Sequence, residues 1–125
     1  MATTAPAKTN TNQRPDRESA LFVRYNDLLL WLTERTKSFP RELRFVLAER
    51  ILDSAYGCYS HLVRAKKVNE AARPAVLLEA DIRLDILRAQ LRMAVEMRCL
   101  SLSQYEHGAG LVNEVGKMLG AWRAR

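Results

Sequence analysis

Apolar residues recur along this chain at alternating steps of three and four, the spacing that places them on one face of an α-helix. Four segments carry the pattern, at about 18–37, 41–69, 74–100 and 103–123. Because the connections between them are short, consecutive helices are expected to run antiparallel. The sequence therefore predicts an all-α fold, an up-down-up-down four-helix bundle.

The first two predicted helices are separated at Phe39-Pro40, because a residue before proline avoids the helical region and proline suits the first turn of a helix. The first helix is expected to bury Leu21, Tyr25, Leu28 and Leu32. The second has an unbroken heptad pattern of alternating large and small residues, which predicts a core stripe made of Phe45, Ala48, Leu52, Ala55, Tyr59 and Leu62.

The third predicted helix carries two apolar stripes. One is expected in the core and consists of Leu77, Leu84, Leu87, Leu91 and Val95. The other falls on the opposite side and consists of Leu78, Ile82, Ile86, Met93 and Met97, together with Leu100. A helix in a monomeric bundle needs one buried face, so the second stripe predicts an interface with another subunit or protein.

The last predicted helix begins at a capping box formed by Ser103 and Glu106. Its core stripe is expected to be Gly108, Val112, Val115, Leu119 and Trp122. Four of the five glycines of the chain lie in this helix, where each costs about 1 kcal/mol relative to alanine. This cost indicates a close backbone approach, either within the bundle or against a neighbouring subunit.

The N-terminal segment differs in composition from the rest of the chain. Residues 1–15 contain almost no large apolar side chain, which predicts a disordered tail before a four-helix bundle over 16–125. The segment has no apolar run of signal-peptide length, and no stretch of the chain is apolar enough to span a membrane. We therefore expect a cytoplasmic protein without membrane contact, in which Cys58 and Cys99 are reduced, buried thiols.

The sequence shows no recognisable catalytic, cofactor or metal site. It has no Glu-x-x-His repeats for a carboxylate-bridged metal, and Cys58 with His61 lacks a second ligand pair for zinc. His61 is therefore expected to be solvated or capped. Neither a glycine-rich phosphate loop nor a catalytic triad stands out. We expect no cofactor and no enzymatic activity.

The charge balance favours polyanionic partners. Lysine and arginine number 20 against 14 acidic residues, which gives a net charge of +6 and a pI near 9.7. The candidate nucleic-acid contacts are Arg64, Lys66, Lys67, Arg73, Arg88, Arg92, Lys117, Arg123 and Arg125. Without exposed aromatic residues interleaved among them, these side chains predict contact with the phosphate backbone rather than stacking on bases.

Ion pairing is an alternative role for some of these cations. Arg88 and Arg92 are spaced to pair with Asp81 and Asp85 along one face of the third helix. The basic residues of the last helix and the C-terminal tail have only Glu114 nearby, so they are expected to lack acidic partners.

Several strings of this sequence are distinctive. They are Leu84-Asp85-Ile86-Leu87-Arg88 followed by Arg92, the segments 100–106 and 114–122, and, at the entry to the second helix, Phe39-Pro40-Arg41 with Arg44-Phe45. These strings resemble the accessory variability determinant proteins of diversity-generating retroelements. The most specific is Gly-Lys-Met-Leu-Gly-Ala-Trp at 116–122, although Ala121 stands where a second glycine is common. The likeness covers about residues 20–123, and the same broad group includes four-helix proteins encoded by intervening sequences of ribosomal RNA genes.

The resemblance implies a homopentamer with a basic surface and no catalytic residue. Such a protein associates with the reverse transcriptase of the retroelement and with its template RNA and cDNA during mutagenic reverse transcription. The resemblance assigns no individual residue to nucleic acid. Two other hypotheses stay open: a free-standing four-helix adaptor whose charge only keeps it soluble, and an RNA-processing enzyme.

Overall fold

The computed structural model describes residues 17–125, and the predicted N-terminal tail lies outside these described residues. They form four α-helices, α1 (Arg17–Thr36), α2 (Glu49–Lys67), α3 (Arg73–Glu96) and α4 (Leu102–Arg123). No strand occurs between residues 17 and 125, so the all-α class is confirmed. Across the same range, no helix is long and apolar enough to cross a membrane.

The helices form a bundle in which each packs against the next and α4 packs back against α1. Contacts near the helix ends show that neighbours run antiparallel. Lys66 at the end of α2 lies 4.8 Å from the centre of the Phe22 ring near the start of α1. Arg123 at the end of α4 pairs with Asp81 in the first half of α3. The predicted up-down-up-down arrangement of a four-helix bundle is confirmed.

The core stripes predicted for three of the helices are confirmed. Their buried members are Leu21, Tyr25, Leu28 and Leu32 in α1, Leu77, Leu84, Leu87 and Leu91 in α3, and Gly108, Val112, Val115, Leu119 and Trp122 in α4. Val95 is half-buried and packs against them.

The start of the second helical segment differs from the prediction. A 3-10 turn over Arg41–Leu43 and a π-helical turn over Arg44–Ala48 precede α2. A π turn is wider than an α turn, so it changes the direction in which successive side chains point. Phe45 is 70% exposed, and its predicted place in the core is wrong. Leu47 and Ile51 are buried instead.

The rest of α2 keeps part of the predicted stripe. Ala55 and Leu62 are fully buried, whereas Leu52 and Tyr59 are half-buried at the edge of the core. Cys58 is also fully buried, on the side of α2 that the heptad pattern did not select. The true stripe is therefore rotated about the helix axis relative to the predicted one.

The α3–α4 connection corrects two further predictions. Ser101, not Ser103, caps α4. Its hydroxyl accepts a hydrogen bond from the backbone amide of Gln104, and the side-chain oxygen of Gln104 accepts one from the backbone amide of Ser101, both at 3.0 Å. The predicted Ser103–Glu106 box is wrong because the same spacing occurs two residues earlier, directly after an apolar anchor. That anchor, Leu100, is 5% exposed, so it does not belong to the outer stripe of α3.

The glycines of α4 fall into two groups. A Cβ atom at Gly108 would clash with the ring of Trp31 in α1, and one at Gly116 would lie 2.6 Å from a guanidinium nitrogen of α3. At these two positions the predicted close approach occurs within the bundle. Gly110 and Gly120 face open space, with no atom within 4 Å of a Cβ built there.

The two cysteines are free thiols in different environments. Cys58 is buried, as predicted, and burial raises its pKa to about 11, so the thiol is protonated at neutral pH. Cys99 is only half-buried, which corrects the expectation that both thiols are enclosed.

Candidate nucleic-acid and subunit interfaces

Most of the predicted basic residues lie at one end of the bundle, where α1 and α3 begin and α2 and α4 end. We term this region the basic end; it consists of Arg64, Lys66, Lys67, Arg73, Arg123 and Arg125. The carboxyl ends of helices carry partial negative charge, which favours cations there. The antiparallel arrangement thus brings cations from two distant segments of the sequence to one end of the molecule.

Two of these side chains are engaged within the bundle. The Arg73 guanidinium donates to the carbonyl of Ala65 at 2.7 Å and to that of Val68 at 2.9 Å. These carbonyls belong to the last turn of α2, which has no helical amides to satisfy them. Lys66 lies over the Phe22 ring in a cation–π contact. Arg73 therefore completes the end of α2, and its capacity to bind phosphate is largely used.

The expectation that the cations of the last helix and tail lack acidic partners is wrong for Arg123 and Arg125, whereas Lys117 forms no ion pair within residues 17–125. Arg123 pairs with Asp81 of α3 at 3.2 Å, and Arg125 pairs with Glu18 of α1 at 3.5 Å. Both pairs join helices that are far apart in sequence, so spacing along one helix could not reveal them. Partly exposed pairs of this kind contribute about 0.2–1 kcal/mol each.

The remaining cations lie along α2, α3 and α4. Arg88 donates to Asp85 at 2.7 Å, as predicted, but Asp81 is occupied by Arg123 instead of pairing within α3. Ion pairs within residues 17–125 involve none of four predicted cations, which are Arg64, Lys67, Arg92 and Lys117. These four keep their full charge available on the surface.

The second apolar stripe of α3 is exposed. The five residues predicted for a subunit interface are between 42% and 51% exposed, and they are Leu78, Ile82, Ile86, Met93 and Met97. At about 100° per residue they point directly away from the core stripe of the same helix. We term this surface the α3 stripe. It runs along the whole helix, from its first turns to the residue that follows it.

The opposite end of the bundle carries a surface that the sequence pattern did not reveal. We term it the aromatic end, and its members are Arg41, Arg44, Phe45, Arg98 and Leu102, all exposed. Phe45 fitted the heptad pattern, so it was assigned to the core. A better signal was available in the run Phe45-Val46-Leu47-Ala48, because four consecutive apolar residues cannot all face the core of one helix.

Two segments meet at the aromatic end. The 41–43 turn lies between α1 and α2, and the antiparallel helices bring it to the same end of the bundle as the α3–α4 connection. Burial, and after it the carboxylate of Glu42, raises the pKa of the Cys99 thiol in that connection. In that connection Arg98 has a φ of 64°, a left-handed conformation that costs about 1–2 kcal/mol for a residue with a Cβ atom. Backbone strain of this kind is often found at functional sites.

A groove of about 500 Å³ lies between α1 and α4, and it is lined by Leu30, Trp31, His107 and Leu111 with charged side chains around them. The Trp31 and His107 rings are 6.0 Å apart. The position of Trp31 depends on the missing side chain at Gly108. The charged part of its lining includes the ion pair of Arg24 with Asp27.

Metal-binding chemistry has no support in the part of the chain that the structure covers. No group of three or more His, Cys, Asp or Glu side chains there comes close enough to hold an ion. The Nδ1 atom of His61 is enclosed and has no hydrogen-bond partner among residues 17–125. His61 as a whole is half-buried, and its solvated or capped state stays a prediction.

The sequence matches a family profile, and the fold matches a solved structure. The profile of a family described as bAvd-like matches residues 20–125. A crystal structure of a protein of unknown function from the S23 ribosomal protein family of Bacteroides thetaiotaomicron is similar, with a TM-score of 0.80, 16% identity, and coverage of 88% of this chain and 100% of that chain. At this identity the likeness concerns the fold alone. No curated protein matches this chain significantly.

Proposed function

The chain belongs to the bAvd-like family of bacterial accessory variability determinants, and from this premise we propose that it serves a diversity-generating retroelement as a non-catalytic accessory protein. It forms a homo-oligomer, a pentamer if it follows the family it resembles. In the cytoplasm it binds the reverse transcriptase together with template RNA and cDNA. The observation that carries the proposal is the family match over residues 20–125, which spans all four helices.

The α3 stripe supports the assembly. Its five side chains are each between 42% and 51% exposed along a helix whose other face already fills the core. Contiguous apolar surfaces of this kind usually mark protein interfaces. A second copy of the chain is the simplest partner, because every molecule carries the same stripe.

The distribution of cations supports binding to nucleic acid. Arg64, Lys67, Arg92 and Lys117 have no acidic partner among residues 17–125, and the net charge of +6 adds a general attraction for polyanions. One subunit holds few phosphates. An oligomer repeats the same cations around its surface, so several phosphates are neutralised at once and avidity strengthens the binding. Each neutralised phosphate releases counterions, which makes the affinity fall steeply with salt.

The experiment combines mass and RNA binding on the same samples. Replacing Ile86 and Met93 with glutamate forces two charges into a dry interface, so the mass measured by light scattering should fall to that of a monomer. RNA affinity should fall with it, because avidity disappears. The matched control replaces the same two residues with leucine, which keeps the stripe apolar and should keep both mass and affinity.

Two results would contradict the proposal. A wild-type chain that is monomeric at every concentration would contradict the proposed assembly. A wild-type oligomer that binds no RNA at about 50 mM salt, where phosphate contacts are strongest, would remove the nucleic-acid role.

A further inference from the structure

Phe45 is the most exposed large apolar side chain of the bundle. Its ring is 70% exposed, and it belongs to a π-helical turn, Arg44–Ala48. Short π-helical turns are rare and are found frequently at functional sites. The ring contributes nothing to the core, because Leu47 and Ile51 fill the space that the helix buries there. A free aromatic face of this kind is suited to stacking.

Three arginines without an ion-pair partner in residues 17–125 share this end of the bundle with Phe45. Arg41 and Arg44 precede the ring by one turn and by one residue, and neither forms an ion pair within residues 17–125. Arg98 is likewise exposed and unpaired in that range. The 41–45 segment and Arg98 together carry three guanidinium groups and one carboxylate, that of Glu42. The net charge of the patch is therefore positive.

The fold holds these groups at one end of the bundle. The 3-10 turn over Arg41–Leu43 lies between α1 and α2, and the antiparallel arrangement places this connection at the same end of the bundle as the α3–α4 connection. Arg98 itself is held in a left-handed conformation. A patch built from one exposed ring and three guanidinium groups has the two components that bind single-stranded nucleic acid, stacking on bases and neutralisation of phosphates.

We propose that the aromatic end binds single-stranded RNA or DNA, with an unpaired base stacked on Phe45 and neighbouring phosphates held by Arg41, Arg44 and Arg98. This inference rests on the proposed nucleic-acid role and assigns it a ligand class and a place. At the basic end the nearby rings are at least half-buried, with Trp122 5% exposed and Phe22 packed against the core, so its cations fit any polyanion. The aromatic end adds a contact that a duplex cannot make, since its bases are already stacked.

The experiment measures binding of the full-length oligomer to a fluorescent 15-nucleotide single strand and to a duplex of the same length. Replacing Phe45 with alanine should weaken single-strand binding by about tenfold, the change expected when one base is deprived of its aromatic stacking partner. The salt dependence should stay the same, because every phosphate contact is kept. Duplex binding should not change. Phe45→Trp should retain single-strand affinity, since it keeps a ring.

The matched control is Val46→Ala, which removes an adjacent apolar side chain that is 59% exposed but has no ring. It should leave single-strand affinity unchanged. Replacing Arg44 and Arg98 with alanine should weaken binding and also flatten the salt dependence, by about 0.7 in log–log slope for each phosphate that is no longer neutralised. The two kinds of variant thus separate stacking from charge.

Several outcomes would overturn the inference. Equal single-strand affinity of Phe45→Ala and wild type, or an equal reduction for single strand and duplex, would exclude stacking on Phe45. A reduced mass of Phe45→Ala would make the ring a subunit contact. Unchanged RNA affinity with weaker binding to the reverse transcriptase would make it a protein contact. If the wild-type protein binds duplex and Phe45→Ala changes no affinity, only this inference fails. If the wild-type protein binds no nucleic acid, the proposed nucleic-acid role fails with it.

Discussion

The two ends of the bundle use arginine differently. At the basic end, Arg73 donates to carbonyls of α2, and Arg123 and Arg125 pair with acids of neighbouring helices. At the aromatic end, Arg41, Arg44 and Arg98 have no ion-pair partner within residues 17–125, and the exposed ring of Phe45 lies at the same end. The end with more cations therefore has fewer arginines without a partner in the bundle, which a count of charges along the sequence does not reveal.

The same contrast applies to their aromatic residues. Trp122 at the basic end is 5% exposed, whereas Phe45 at the aromatic end is 70% exposed. The first therefore contributes to folding and the second is available to a ligand. The two ends can be compared directly by measuring how single substitutions change the free energy of unfolding.

The largest expected difference is between the two aromatic side chains. Trp122→Ala should lower the free energy of unfolding by about 3–5 kcal/mol, because it leaves a cavity where α4 ends against α1. Phe45→Ala should change it by less than about 0.5 kcal/mol, as exposed substitutions usually do. Urea denaturation at one fixed subunit concentration measures both. A decrease above about 2 kcal/mol for Phe45→Ala would show that its ring is buried in folded protein.

A smaller difference is expected between arginines of the two ends. Arg73→Ala removes two hydrogen bonds to carbonyls of α2 and should cost about 1–3 kcal/mol. Arg41→Ala should cost less than about 0.5 kcal/mol, because it has no ion-pair partner to leave behind. Arg73→Lys keeps the charge but not the planar fork, so it should recover only part of the stability. Equal effects of the two alanine substitutions would contradict the contrast between the ends.

The smallest expected effect concerns the backbone of the aromatic end. Arg98→Gly should raise the free energy of unfolding by about 0.5 kcal/mol, since relief of left-handed strain exceeds the entropy that glycine gains in the unfolded chain. Arg98→Ala is the control and should give no gain, because alanine meets the same steric penalty. If both variants stabilise the protein equally, the gain does not come from relief of the left-handed φ angle of residue 98.

The fold was largely predictable because apolar residues at alternating steps of three and four mark the buried face wherever a helix is regular. The stripes of α1, α3 and α4 and the outer stripe of α3 follow from it, down to Trp122 and Ile86. The pattern fails where the helix is irregular. The π-helical turn moves Phe45 out of the core, and a competing Ser-x-x-Gln spacing moves the cap of α4 to Ser101.

The candidate site was less predictable because its properties depend on contacts between helices. Neither the pairing of Arg123 with Asp81 nor the role of Arg73 at the end of α2 has a local sequence signal. Both contacts determine whether the arginine is free to bind a ligand. The exposed ring of Phe45 adds a feature that composition did not suggest, since the aromatic residues were expected in the core.

The central claim is that this chain is the partner of a retroelement reverse transcriptase, and co-elution tests it most directly. The chain is expressed together with a retroelement reverse transcriptase from the same genome, and size-exclusion chromatography with light scattering gives the mass of each peak. We predict one peak that contains both proteins and RNA, with several copies of this chain for each polymerase. Separate elution of the polymerase and of this chain, with RNA present and at low salt, would contradict the account.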